Sequence, residues 1–144
     1  MKAIVTGATG MLAIATIEHL ASQGYEVIAV ARPDSERIDN IPIGDNITAI
    51  SLDMADIKAL PDLLKSEGLD RDIELFFHFA WDGTHGDSRN NMDIQIENIR
   101  TSVEAVRAAA ALGCKTFLGA GSQAEYGRVP YGTKLAGDTP ASPE

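Results

Sequence analysis

Apolar positions along the chain fall into short runs that alternate with stretches of helical spacing. Lys2 to Val5 is apolar enough to be a strand buried on both faces. A turn over Gly7 to Gly10 follows, and Met11 to Gln23 then places Ala13, Ile14, Ile17, Leu20 and Ala21 on one helical stripe, with Gly24 as its stop. Tyr25 to Ala31 reads as a second strand, closed by Pro33, Asp34 and Ser35, and Asn46 to Leu52 as a third. Met54 to Lys65 predicts a short helix containing Pro61, Ile73 to Ala80 a fourth strand, Asp93 to Leu112 a long helix and Lys115 to Ala120 a fifth strand. No hairpin signal breaks the alternation. The pattern therefore predicts an α/β fold on a doubly wound parallel sheet. From Gly127 onwards, Pro130, Gly132, Gly137, Pro140 and Pro143 leave no room for a regular element.

Composition narrows the function classes. Of the 144 residues, 12 are Lys or Arg and 21 are Asp or Glu, a net charge of −9. One domain of ordinary size is expected. The acidity argues against a sequence-independent grip on nucleic acid or on an anionic membrane, both of which need clustered cations. The single cysteine, Cys114, excludes an internal disulfide and any cysteine-built zinc site, and reads as a core filler. No apolar run approaches the ~20 residues that span a bilayer. Thr6, Gly7, Thr9 and Gly10 interrupt the N-terminal apolar run too early for a signal peptide, so a reducing, cytoplasmic setting is expected.

The strongest local signal is Thr6-Gly7-Ala8-Thr9-Gly10-Met11-Leu12-Ala13, between the first strand and the first helix. Small residues there let the backbone approach a pyrophosphate, whose charge the amides of the helix N-terminus hold. Gly7 suits a tight turn and Gly10 a close ligand approach, so Gly7 and Thr9 to Leu12 are candidate cofactor contacts. A tight turn with no ligand is the simpler alternative, and placement between strand and helix favours a dinucleotide. At the end of the second strand, Val30-Ala31-Arg32-Pro33 offers no acid for the ribose hydroxyls of NAD. Arg32 points to the 2′-phosphate of NADP instead, although a solvated arginine and a returning Asp34 fit the same residues. Asp53 and Met54 stand where an adenine edge would lie, or Asp53 is the N-cap of the next helix.

Four separated stretches carry a family resemblance: TGATGMLA, the strand end His78-Phe79-Ala80-Trp81, Asn98 in the long helix, and the segment from Gly119 to Gly127 (GAGSQAEYG). In their order and spacing the chain resembles the N-terminal part of the extended short-chain dehydrogenase/reductase family, the NAD(P)-dependent epimerases and dehydratases. The resemblance implies a Rossmann-like domain over 1–126 that binds NADP, or NAD, and passes a hydride between the nicotinamide and a sugar carbon of a nucleotide sugar. It implies that Phe79, Ala80 and Trp81 line the cofactor, groups Asn98 with the cofactor contacts, and aligns Ser122 with the catalytic Ser/Thr. It gives His78 no chemical role, leaving a satisfied strand histidine. The loop from Trp81 to Asn90 would lie near the substrate.

The family's Tyr-x-x-x-Lys pair has no counterpart in these residues. Tyr131-Gly132-Thr133-Lys134 is one residue too short, and 127–144 reads as the loop leading towards the catalytic helix. The resemblance thus implies a cofactor part without its acid/base or substrate domain. A non-catalytic dinucleotide sensor of the same fold, or a phosphate-binding protein without nicotinamide chemistry, are the other readings. Ile96, Ile99, Val103, Val106 and Ala110 recur at spacings of three and four along the long helix. Packing on the sheet should take part of this stripe. Related proteins pair the matching helix across a dimer, so a homodimer through 93–112 is expected.

Overall fold

The computed structural model describes residues 1–142. Five parallel strands form one sheet: β1 (Lys2–Thr6), β2 (Glu26–Ala31), β3 (Ile47–Ser51), β4 (Ile73–His78) and β5 (Thr116–Gly119), in the spatial order β3-β2-β1-β4-β5. The chain steps outward from β1 to β2 and β3, then returns to place β4 and β5 on the other side. This reversal beside β1 opens a crevice at the carboxyl ends of β1 and β4, where ligands of open α/β sheets bind. The predicted doubly wound sheet is the one observed.

Strand alternation sends side chains to two separate cores. On one face Ala3, Val5, Ala29 and Ala31 meet Ala13, Ile17 and Leu20 of the first helix, α1 (Met11–Ser22). The three strand alanines let α1 lie close to the sheet. On the other face Ile4, Ile28, Val30 and Phe76 meet Leu60 and Leu64 of α2 (Leu60–Ser66) and Ala105 and Ala109 of α3 (Met92–Ala111). Phe76 is fully buried and stacks on Phe117 of β5, ring centres 5.4 Å apart. Cys114 packs at the margin of this core, and burial pushes its thiol pKa up, in keeping with a filler.

Three elements differ from the sequence expectation. The helix expected over Met54 to Lys65 splits into a 3-10 segment, Met54–Ala59, followed by α2. Pro61 is the reason: it lacks an N–H, so it fits only the first turn of an α-helix and forces a fresh start there. The fourth strand ends at His78 rather than Ala80, because the chain turns at Phe79 and Ala80 to meet the glycine turn. On α3 the expectation that the sheet takes part of the apolar stripe is wrong. Ile96, Ile99, Val103, Val106 and Ala110 are all exposed, and the buried face is Asn98, Thr101, Ala105, Ala108 and Ala109. Ala105 and Ala109 pack into the second core, and the larger apolar side chains of the helix face outward.

The segment after Tyr126 forms turns but no helix or strand among the described residues, as expected. Pro143 and Glu144, the end of the predicted loop, lie outside the described residues. No described helix is long and apolar enough to cross a membrane.

Ala105→Leu tests the small-residue face. Ala105 is fully buried between α3 and the sheet, and overpacking such a position costs about 1–3 kcal/mol. Urea denaturation should show that loss with an unchanged slope; a variant as stable as the parent would mean that α3 is not seated closely on the sheet.

Candidate functional site

β1 ends in the buried Thr6, and the chain then bends sharply at Gly7, which has φ +68°. A Cβ on Gly7 would stand 2.7 Å from the Ala80 amide nitrogen and 2.9 Å from the Phe79 carbonyl carbon. No side chain fits there, whatever the conformation. Ala8 donates its N–H to the Val30 carbonyl at 3.2 Å and so ties the turn to β2, while Gly10 donates to the Gly7 carbonyl at 2.9 Å and closes the turn. Gly10 is the N-cap of α1, with no side-chain cap and no acid in the first turn. The orphan amides and the positive end of the helix dipole therefore face open space, an arrangement that favours an anion. A Cβ on Gly10 would lie 3.3 Å from the Gly7 carbonyl oxygen, a tight contact that would need a few tenths of an ångström of adjustment in the turn. Met11 and Leu12 are exposed beside it. The cradle fits a pyrophosphate.

The expected rim residues are gathered around this turn in different ways. Arg32 lies just past β2, and its guanidinium is shared by Asp34 at 3.5 Å and Asp82 at 3.9 Å, the latter reaching across from the loop after β4. Asp53 takes its capping alternative, accepting the Ala55 N–H at 2.8 Å, and Met54 packs at the edge of the second core. Phe79 offers the site its backbone, since its ring packs into the α1-side core near Phe77. Trp81 is exposed and donates its indole N–H to Gln95 at 3.1 Å.

Asn98 holds the loop at the rim of the site. Its amide nitrogen donates to the Asp82 carbonyl at 2.8 Å and its amide oxygen accepts the Asp82 N–H at 2.9 Å. The buried side chain thus pairs with both backbone groups of one residue and clamps the Trp81–Asp82 loop to α3. Beside its expected grouping with the cofactor contacts, Asn98 thus holds the loop in place. Sequence reasoning also missed Gln95, which accepts from both Trp81 and Asn98, and Ser35, whose hydroxyl reaches Thr9 at 3.4 Å. The only sequence signal for the first was its helical spacing of three from Asn98.

His78 lies under the crevice, as a satisfied strand histidine should. One ring nitrogen meets the Thr6 hydroxyl at 2.8 Å and the other the Ser102 hydroxyl at 3.2 Å. The imidazole thereby links β1, β4 and α3, and burial lowers its pKa. Ser122 is exposed in the segment after β5, and Glu125 raises the pKa of the nearby Tyr126 phenol by hydrogen bonding to it. Tyr131 and Lys134 are exposed within the turns of the final segment, on no helix. No cluster of metal-ligating side chains occurs among the described residues.

The sequence model of the NAD dependent epimerase/dehydratase family matches residues 3–144. The chain belongs to that family. A UDP-glucose 4-epimerase of Klebsiella pneumoniae is 26% identical over 140 residues, covering 91% of this chain and 98% of the relative. Among solved structures, the UDP-glucose 4-epimerase of Thermus thermophilus in complex with NAD superposes with a TM-score of 0.79 at 20% identity, over 99% of this chain and 45% of that one. The Bordetella bronchiseptica enzyme WbmG in complex with NAD gives 0.76 at 22% identity, over 100% of this chain and 44% of that one. At such identities the likeness establishes the fold, that of the epimerase-type Rossmann domain. This chain spans less than half the length of those solved chains.

The lowered pKa of His78 fixes the sign of a pH effect. The unfolded chain takes up a proton near pH ~6.5, while the folded ring resists it, so stability falls as pH drops below that value. The slope attributable to this group approaches, at most, ~1.36 kcal/mol per pH unit until the folded pKa is reached. Melting curves between pH 7 and 5 should show a steeper decline for the parent than for His78→Gln; parallel declines would remove His78 as the cause.

Proposed function

We propose that this chain is the cofactor part of a nucleotide-sugar-modifying enzyme, holding the pyrophosphate of NAD or NADP on the Gly7–Gly10 turn. The observation that carries the reading is the uncapped α1 N-terminus above a turn whose two glycines keep the anion space open. A bound nicotinamide would supply the acceptor and donor of a hydride exchanged with a sugar carbon. The amides of the first helical turn hold the negative charge, and the Asn98 clamp fixes Trp81 and the backbone of Ala80 beside it. The Ser122 hydroxyl is suited to hydrogen-bond a substrate oxygen, and the exposed loop from Trp81 to Asn90 to meet the sugar nucleotide. NADP is the finer choice: no acid stands at the end of β2, although Asp34 and Asp82 offset part of the charge of Arg32. Work in the cytoplasm fits a chain with one free thiol, Cys114.

The exposed stripe on α3 supports a second copy of the chain as partner. Met92, Ile96, Ile99, Val103 and Val106 form a seam at alternating spacings of four and three. An antiparallel pairing of two α3 helices would set this apolar seam against its own copy, with Asp93 near one end and Arg107, which is held by Glu104, near the other.

Two measurements test these readings. Calorimetry should detect NAD or NADP binding to the folded chain, and Gly10→Val should abolish it by filling the anion space. Unchanged affinity in a variant that still melts cooperatively would refute the site. Sedimentation should show a dimer that Ile99→Arg converts to a monomer without loss of helix signal; a parent that stays monomeric at high concentration would dismiss the pairing.

A further inference from the structure

A single imidazole joins the walls of the crevice. His78 is the last residue of β4 and the sheet partner of Thr6, the last of β1. Its Nδ1 lies 2.8 Å from the Thr6 hydroxyl and its Nε2 3.2 Å from the Ser102 hydroxyl. Thr6 leads directly into Gly7, whose turn presses on the Phe79 and Ala80 backbone that follows His78, and the Phe79 N–H donates to the Thr6 carbonyl at 3.3 Å. Ser102 stands one turn after Asn98 on α3, the residue that clamps Asp82. The ring therefore holds together the glycine turn, the exit of β4 and the helix behind the Trp81–Asp82 loop.

This bonding suits one protonation state. A neutral imidazole offers one N–H and one bare nitrogen, so one hydroxyl receives a proton and the other donates. An imidazolium has two N–H groups and accepts nothing, so the donating hydroxyl must turn its proton away. Thr6 is fully buried and His78 nearly so, which leaves little water to take that proton or to solvate the new charge. Among the described residues the ring is faced by Thr6 from β1, Ser102 from α3 and Phe117 from β5, the last with ring centres 6.0 Å apart. None of these is charged or titratable, and burial is the cause of the lowered pKa.

We propose that the Thr6–His78–Ser102 chain is a proton-sensitive staple of the cofactor crevice: the neutral ring holds the binding shape, and protonation opens it and releases the dinucleotide. The inference rests on the reading that the glycine turn holds a dinucleotide. His78 is then a positioning residue that acts through Gly7 and Asn98 without touching the ligand. An added proton has two effects of opposite sign. Charge alone would tighten binding, because an imidazolium under the crevice attracts a pyrophosphate. Loss of the staple loosens it, by displacing the amides and the loop that hold the ligand. The attraction reaches a ligand in the open, screened mouth, whereas the disruption acts at the buried ring itself, so loosening prevails.

Calorimetry with NAD, or with NADP where that binds tighter, tests the staple from pH 7 down to the lowest pH at which the helix signal is unchanged. The apparent Kd of the parent should rise as the folded ring takes up its proton, by up to about tenfold per pH unit. His78→Gln cannot titrate there; it should bind about threefold or more weakly at pH 7 and lose most of the pH dependence. Ser102→Ala cuts one arm of the staple and leaves both apolar cores intact, and should weaken binding at pH 7 on the same scale. A flat parent profile, binding that tightens as pH falls, a slope kept in His78→Gln or an unaltered affinity in Ser102→Ala overturns the staple. Each of these results leaves the cofactor reading standing, whereas binding of neither nucleotide at pH 7 ends both.

Discussion

The near-contact of two backbones, Gly7 against Phe79 and Ala80, is the constraint on which the rest of this site depends. β1 and β4 are neighbours in the sheet and must both end where the chain reverses direction. The turn after β1 can pass over to α1 only by crossing the exit of β4, and it does so with no space for a Cβ. That crossing holds the first turn of α1 low over the crevice. It also ends β4 at His78 and turns the Phe79 ring back into the core. A bulkier residue at Gly7 would push apart both strand ends, and the site would open with them.

The fold was legible because its central strands, β1 and β2, are buried on both faces and its helices on one. Short apolar runs against helical stripes gave every strand and α-helix in order, with one helix redivided at Pro61, while the short 3-10 segments at Ile38–Asn40, Gly86–Asn90 and Gln123–Tyr126 carry no such pattern. The glycine turn was legible for a different reason: its residue types serve a backbone shape that few others allow. Rim residues were harder to read. Asp53 could cap a turn or face an adenine, and the cap, a 2.8 Å bond from the Ala55 N–H, is visible only in the structure. Arg32 was visible as a cation near β2, but its partner Asp82 lies fifty residues away in sequence, and no local pattern announces that pair. Asn98 looked like a site residue because it sits in the right helix. Its two bonds to Asp82 tie it to the loop beside the crevice, a partner that no local pattern announces.

The α3 helix shows why periodicity alone divided a face wrongly: the stripe expected to be shared between the sheet and open surface is exposed throughout. Its larger apolar residues form the more conspicuous stripe, and a rule that places apolar side chains inside gives the sheet a share of it. Against β4 the available space instead suits alanine, threonine and the paired amide of Asn98, all short or hydrogen-bonded. Close approach increases the contact made by the sheet's own side chains, Phe76 above all, so small residues on the helix do not mean a weak interface. The consequence is a helix whose hidden face carries the clamp and whose open face carries the grease. Both follow from one requirement, that Asn98 come near enough to the β4 exit to hold Asp82 by both backbone groups. A larger residue at Ala105 would lift the helix, lengthen those two bonds and loosen Trp81 beside the crevice, although it touches none of them.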